Sequence, residues 1–304
     1  MADISRAEVA TLIEEAYSKT LLDSAVAAST ALSAFPTVNM GTKTTHLPVL
    51  ATLPEAGWVG ESATDPVGVK PTSEAVWVDR TLVAEEIAVI LPVHENVVDD
   101  ATTNILDDLA ALGGQAIGKK LDQAVLFGTQ KPASWTSPAL LPAAVAAGQT
   151  NATVDGPANP DDLWGSIVQM NEAIAAQGWQ PDTLLTSLAW RWRLANIRDA
   201  DGSPIFRDEM FAGMNTHINR NGAWDPAAAH ALIVDRSRVR IGIRQDITVK
   251  FLDQATVGGI NLAERDMVAL RLKARYAYVL GSDANPTGNA PRHPVGAVTP
   301  DVTP

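Results

Sequence analysis

The side chains best suited to chemistry are thinly spread through this sequence. Its five histidines, His46, His94, His217, His230 and His293, stand far apart. None pairs with another at metal-ligand spacing, and no His-Glu-x-x-His occurs. His94 precedes a helical stretch and reads as a cap or a solvated group rather than a base. Asp99-Asp100 and Asp107-Asp108 are paired carboxylates. Neighbours on a helix point about 100° apart, so neither pair converges on one ion and both read as a solvated helix start. The chain has no cysteine, which removes disulfides, thiolate catalysis and Cys-ligated metals. No nucleophile elbow is present, and Gly258-Gly259 reads as a turn between strands, not a phosphate cradle. The expectation is a protein that is not an enzyme and carries no cofactor or metal.

What remains is charged and aromatic surface. Arg271, Lys273 and Arg275 alternate with Leu272 and Ala274, which lines three cations along one face of a strand. Such a row is either ordinary surface charge or a contact for an acidic segment of another copy, such as one bearing Glu61 and Asp65. Eight tryptophans outnumber Phe or Tyr, and tryptophan is favoured at interfaces. Trp58 and Trp77 lie in a stretch with few other anchors and are interface candidates, whereas Trp190 and Trp192 read as core. The formal charge of −12 and a pI near 4.8 argue against wrapping nucleic acid directly, because phosphate binding needs clustered cations.

The elements that must position these residues follow from periodicity. Hydrophobic residues make up 46% of 304, enough for a sizeable core and two lobes. Residues 5–32 read as a helical arm, with Ser5 and Glu8 as a capping box and Val9, Leu12, Ile13 and Ala16 as a thin stripe. From Pro36 to Pro92 the texture is strand, interrupted between Pro54 and Thr72 by glycines, prolines and charges; this reads as a long two-stranded hairpin. So little apolar surface leaves such a hairpin marginal in water unless it lies on something else. Its root, Ile87 to Leu91, is apolar on both faces and is expected to be buried. Ile105, Leu109, Leu112, Ala116, Leu121 and Val125 mark the strongest helix, ended by Gly128 and weakened or bent at Gly113-Gly114. Residues 129–158 read as loop. Asn159-Pro160-Asp161-Asp162 opens a helix. Short strands follow at 182–186, 231–234, 239–243 and 247–252, and a half-buried strand runs from Asp266 to Leu280. No basic start followed by an apolar run marks a signal peptide, and no window approaches about 18 apolar residues, so the expectation is a cytoplasmic chain with no membrane span.

The order of these segments carries a resemblance. Ala56-Gly57-Trp58-Val59-Gly60-Glu61 is followed by Lys70-Pro71-Thr72-Ser73, then Leu82-Val83-Ala84. Next come Ile87-Ala88-Val89-Ile90-Leu91-Pro92-Val93-His94-Glu95-Asn96-Val97-Val98-Asp99-Asp100, a long helix ending at Leu126-Phe127-Gly128, and closing strands from Ile247-Thr248-Val249-Lys250-Phe251 through Asp266 to Arg275. Over residues 36–282 this resembles the major capsid proteins of tailed bacteriophages with the Hong Kong 97-type fold. The resemblance implies an α+β chain with an N-terminal arm (1–35), a peripheral-domain strand (36–53) and an extended β-hairpin E-loop (54–83). A peripheral domain with a long spine helix (84–130), an axial domain (131–246), peripheral-domain strands (247–282) and a flexible C-terminal tail (283–304) complete it. It implies pentamers and hexamers closing an icosahedral shell around double-stranded phage DNA, without sequence-specific DNA binding, assembled in the host bacterial cytoplasm and kept in the virion. It also implies a separate scaffolding protein, a portal and in some relatives a decoration protein, since the arm begins near Met1. Lys70 lies where some relatives form an intersubunit crosslink; its acceptor is not identified. An encapsulin-like compartment enclosing cargo enzymes is the alternative.

Overall fold

In the computed structural model, residues 29–52, 56, 59, 72–73, 75–99, 105–153, 162–195, 213–281 and 293–300 are described. In chain order the first elements are α1 (Thr30–Ala34), β1 (Thr37–Asn39), β2 (Thr44–Thr52), β3 (Val76–Val83), β4 (Glu85–His94) and α2 (Glu95–Asp99). Then come α3 (Ile105–Asp122), extended by a π-helical turn at Gln123–Phe127, α4 (Leu140–Ala146), β5 (Thr150–Thr153), α5 (Asp162–Ala175), β6 (Thr183–Ser187) and α6 (Leu188–Ala195). The chain closes with β7 (Asn215–Asn219), β8 (Ala231–Val234), β9 (Val239–Leu252), β10 (Thr256–Val257), β11 (Ile260–Asn261), β12 (Met267–Leu280) and β13 (Val295–Pro300).

β12, which alternates buried and half-buried from Leu270 to Tyr276 and is buried throughout from Tyr276 to Leu280, is the strand on which the first lobe is built. It lies between β9 and β4 in a four-stranded sheet of order β1-β9-β12-β4. Leu270, Leu272, Ala274, Tyr276, Tyr278 and Leu280 point to one face and are buried with Ile117, Leu121, Ala124 and Val125 of α3 and its extension. Each fully buried leucine of this kind contributes about 1.5–3 kcal/mol, so this seam dominates the lobe's stability. The helix comes closest to the sheet at Gly113, where an added Cβ would stand 2.7 Å from Leu272 Cδ2. The glycine pair read as a weak point is thus the contact point, and α3 runs through it unbroken. Gly128, in the left-handed conformation at φ 73°, ends the helix.

The second lobe is a five-stranded sheet of order β5-β13-β8-β6-β7. One face, with Leu185, Leu232, Val234 and Ala297, joins Leu140 and Ala143 of α4 in the first core. The other, with Leu184, Ile233 and Val298, packs on Ile167, Met170 and Ile174 of α5 and on Trp190. A two-stranded antiparallel ribbon, β2 with β3, stands apart from both sheets. Its root is held by Leu82 and Ala84 against Met40, Ala277 and Val279, with Leu47 beside them. The Trp135 indole N–H donates to the Val83 carbonyl at 2.9 Å. No helix among the described residues is long and apolar enough to cross a membrane.

Several boundaries differ from those read in the sequence. Residues 44–52, assigned to a peripheral-domain strand within 36–53, pair with β3, so the ribbon begins at Thr44 and not at residue 54. Strands expected at 239–243 and 247–252, on opposite sides of a boundary at 246, are one strand, β9, bent where its register with β12 shifts around Arg275. Residues 129–158, read as loop, contain α4 and β5, because Leu140, Ala143 and Ala144 share a buried face. The 283–304 tail, read as flexible, supplies β13. Val295, Ala297 and Val298 are buried there between β5 and β8, and that burial outweighs the Pro- and Gly-rich surroundings. Trp190 is buried as expected but Trp192 is 69% exposed. Ile87 to Leu91 is half-buried on the face that packs on the core and exposed on the other, where Ile90 is 39% exposed. Of the arm, residues 1–28 lie outside the described residues, and α1 begins afresh at Ser29, which caps it by accepting from the Leu32 N–H.

Gly242 of β9 offers a direct test of the close packing. A Cβ there would collide with Met40 Sδ and lie 3.0 Å from the Ala277 Cβ. Gly242→Val is expected to destabilise the subunit by about 1–3 kcal/mol, the usual cost of overpacking, read as a lower denaturant midpoint at unchanged slope.

Candidate functional site

Two places in the structure combine polar groups in a way that packing alone does not demand. The first is the outer face of the four-stranded sheet. Period-two alternation that buries Leu272 and Ala274 turns Arg271, Lys273 and Arg275 outward, and all three are half-buried. Cross-strand register puts Arg271 between Ile90 and Lys250, Lys273 between Ala88 and Thr248, and Arg275 between Glu86 and Gln245. Lys273 Nζ reaches diagonally to Glu86 Oε2 at 2.7 Å. That hydrogen bond holds the Glu86 carboxyl below the usual glutamate range, with the fields of Arg275 and Arg271 adding to it against desolvation. A surface pair of this kind contributes little to folding. Arg275 Nε is buried and finds no acceptor among the described residues. One carboxylate therefore faces a row of cations, and the face keeps net positive charge although the chain is acidic.

The ribbon is the complement. Trp77, Val78 and Asp79 are consecutive and all exposed, so both faces of the ribbon stand in solvent there; Trp77 is 65% exposed. An exposed His46–Asp79 pair crosses the ribbon. Of the residues singled out from sequence, the structure places Arg271, Lys273 and Arg275 together on one face and Trp77 on the ribbon. Trp58, Glu61, Asp65 and Lys70 lie outside the described residues.

The second place leaves almost no trace in the sequence. Asp122, on the last turn of α3, is fully buried. Its Oδ1 accepts from Ser29 Oγ at 2.7 Å and the Ala31 N–H at 2.9 Å. Its Oδ2 accepts from the Thr30 N–H at 2.9 Å, Asn219 Nδ2 at 3.1 Å and Asn221 Nδ2 at 2.7 Å. Asn219 Nδ2 also donates to Thr30 Oγ1 at 2.9 Å. The carboxylate thereby ties the start of α1, the spine helix and the end of β7 into one knot. Burial lifts it above the ordinary aspartate range while the donors from Ala31, Ser29, Thr30 and Asn221 pull it back. Surrounded by donors alone, it has the partners of an ionised carboxylate. The knot coincides with the change from α- to π-helix at Gln123, a local widening that often accompanies function. One signal does exist: an acid within an apolar stripe, at the helix end that the dipole makes unfavourable for it.

Among the described residues no group of three or more His, Cys, Asp or Glu gathers as a metal site. The polar groups present can bind carboxylates and pin chain segments.

Known proteins resemble this chain over nearly its whole length. Residues 10–284 match the phage capsid family. A solved structure from Mycobacterium phage Cain is 69% identical over 100% of each chain, with a TM-score of 0.84. One from Mycobacterium phage Bobi is 71% identical over 99% of each chain, at 0.83. One from Microbacterium phage Oxtober96 is 42% identical, covering 90% of this chain and 91% of that one, at 0.80. No curated protein matches.

Proposed function

This chain belongs to the phage capsid family and is a major capsid protein that forms an icosahedral shell, and from that premise we propose how its copies hold one another. The ribbon of one subunit lies across the outer sheet face of its neighbour within pentamers and hexamers. The acidic residues Glu61 and Asp65 meet Arg271, Lys273 and Arg275, and Trp58 and Trp77 supply the apolar anchors. The observation that carries this reading is the coexistence in one chain of a ribbon exposed on both faces and a sheet face with net positive charge. Closed symmetry then repeats one modest contact over every subunit, which is how weak contacts hold a shell.

The role is structural and not enzymatic. Acidity keeps the subunit from gripping the double-stranded DNA it encloses, so packaging needs no sequence readout. A scaffolding protein, a portal and, where one is used, a decoration protein complete the particle, which assembles in the host cytoplasm.

Charge reversal tests the contact. Arg271→Glu places an acid beside Lys250, which the subunit tolerates to within about 0.5 kcal/mol. The subunit concentration needed for shells is expected to rise at least about tenfold, the effect of 1.4 kcal/mol per subunit. Adding Glu61→Lys or Asp65→Lys should restore part of it, read by sedimentation of assembled particles. Shells forming at the parental concentration from Arg271→Glu alone would remove these cations from the contact.

A further inference from the structure

We propose that residues 5–28 of this same chain dock in a groove beside the spine helix, against the turn that follows β7. The groove is a cavity of about 430 Å³ lined by Leu112, Gln115, Ala116, Lys119, Arg220 and Asn221. Leu112, midway along α3, is 58% exposed, a large apolar side chain on the helix face that the core does not use. Lys119 Nζ lies 3.6 Å from where a Cβ on Gly222 would stand, so its ammonium reaches from the helix to the turn and closes one end. Neither Lys119 nor Arg220 has an ion pair among the described residues.

The occupant follows from where the chain enters. Ser29 binds Asp122, one turn beyond Lys119 on the same helix, and Asn221 of the groove wall donates to that same carboxylate. Ser29, to which the segment is joined, therefore stands beside the groove wall. Its sequence suits the lining: Val9, Leu12, Ile13 and Ala16 form a stripe for Leu112 and Ala116. Four acids, Glu8, Glu14, Glu15 and Asp23, exceed two bases, Arg6 and Lys19, which suits a lining that carries Lys119 and Arg220. The helix wall from Leu112 to Lys119 is only about 10 Å long at 1.5 Å per residue, well within reach of a segment tethered beside it. Tethering supplies an effective concentration in the millimolar range, which favours the chain's own segment over a second copy's.

The absence of native cysteine makes thiol chemistry a clean test. In purified unassembled chain carrying Leu112→Cys, maleimide labelling is expected to be roughly tenfold slower than in the same variant lacking residues 5–28, as a docking equilibrium of about ten to one gives. Adding Lys119→Glu to the full-length Leu112→Cys chain should restore fast labelling without any truncation. Leu112→Cys combined in turn with Leu12→Cys, Ile13→Cys or Ala16→Cys should give an intrachain disulfide from at least one pair, and mixtures of the single variants should give no disulfide dimers. Equal labelling with and without the segment, or disulfides only between chains, overturns the proposal. Shell formation is not read, so either result leaves the assembly reading standing on its own test.

Discussion

Deleting residues 61–72 is expected to leave a subunit that melts as the parent does and closes no shells. The argument starts from the ribbon's energetics. A two-stranded ribbon with both faces in water has too little buried apolar surface to stand alone, and here Trp77, Val78 and Asp79 are exposed in succession. What holds its root is the small core of Met40, Leu82, Ala84, Ala277 and Val279, together with the Trp135 hydrogen bond to Val83. None of those residues is touched by the deletion, so folding is spared. What the deletion removes includes Glu61 and Asp65, the acids assigned to the neighbour's cations. Because the same contact recurs at every subunit, its loss is multiplied over the shell rather than averaged away. Thermal unfolding of the purified subunit and negative-stain electron microscopy of the assembly reaction separate the two effects. Shells of normal diameter from the deleted chain would end the ribbon's assigned role, and a collapsed melt would show that the ribbon belongs to the fold.

How much of this is legible in the sequence depends on whether the deciding contacts are local. β12 announces itself through the apolar–cationic alternation from Leu270 to Tyr276, and the same period alone assigns Arg271, Lys273 and Arg275 to a shared face. The stripe of α3 is equally plain. Glu86 opposite Arg275 is not, because antiparallel register joins strands that are far apart in the chain. β13 escapes for the same reason: Val295-Gly296-Ala297-Val298 is a short apolar run in a Pro- and Gly-rich tail, and only pairing with β5 and β8 makes it a strand. Trp192 is misassigned from sequence because α6 buries Trp190, and a residue two positions on points to the opposite side of a helix. The hairpin is legible, but its boundary at residue 54 falls ten residues late, because Thr44–Thr52 pairs with β3.

Asp122 presents the largest expected effect on the fold itself. Its five donors lie 91 to 99 positions away in the chain, so the local pattern that marks the acid does not reveal its partners. Asp122→Asn keeps the shape but replaces one accepting oxygen with an amide that also donates, leaving at least two buried donors unmatched. At about 1–3 kcal/mol for each orphaned group, the loss is expected to reach roughly 2–5 kcal/mol. In a chain of this size that lowers the melting temperature by roughly 3–8 °C. Asp253→Asn, at an exposed turn, should stay within about 0.5 kcal/mol and serves as the control. The pattern of loss matters as much as its size. Ser29, Thr30 and Ala31 are held to the spine helix chiefly through this carboxylate, so hydrogen exchange should accelerate at the amides of Thr30 and Ala31 before it does in β12. Uniform acceleration across both sheets, or an unchanged melt, would show that α1 is held by its buried Ala31, Leu32 and Ala34 alone, and that the carboxylate is incidental to the knot.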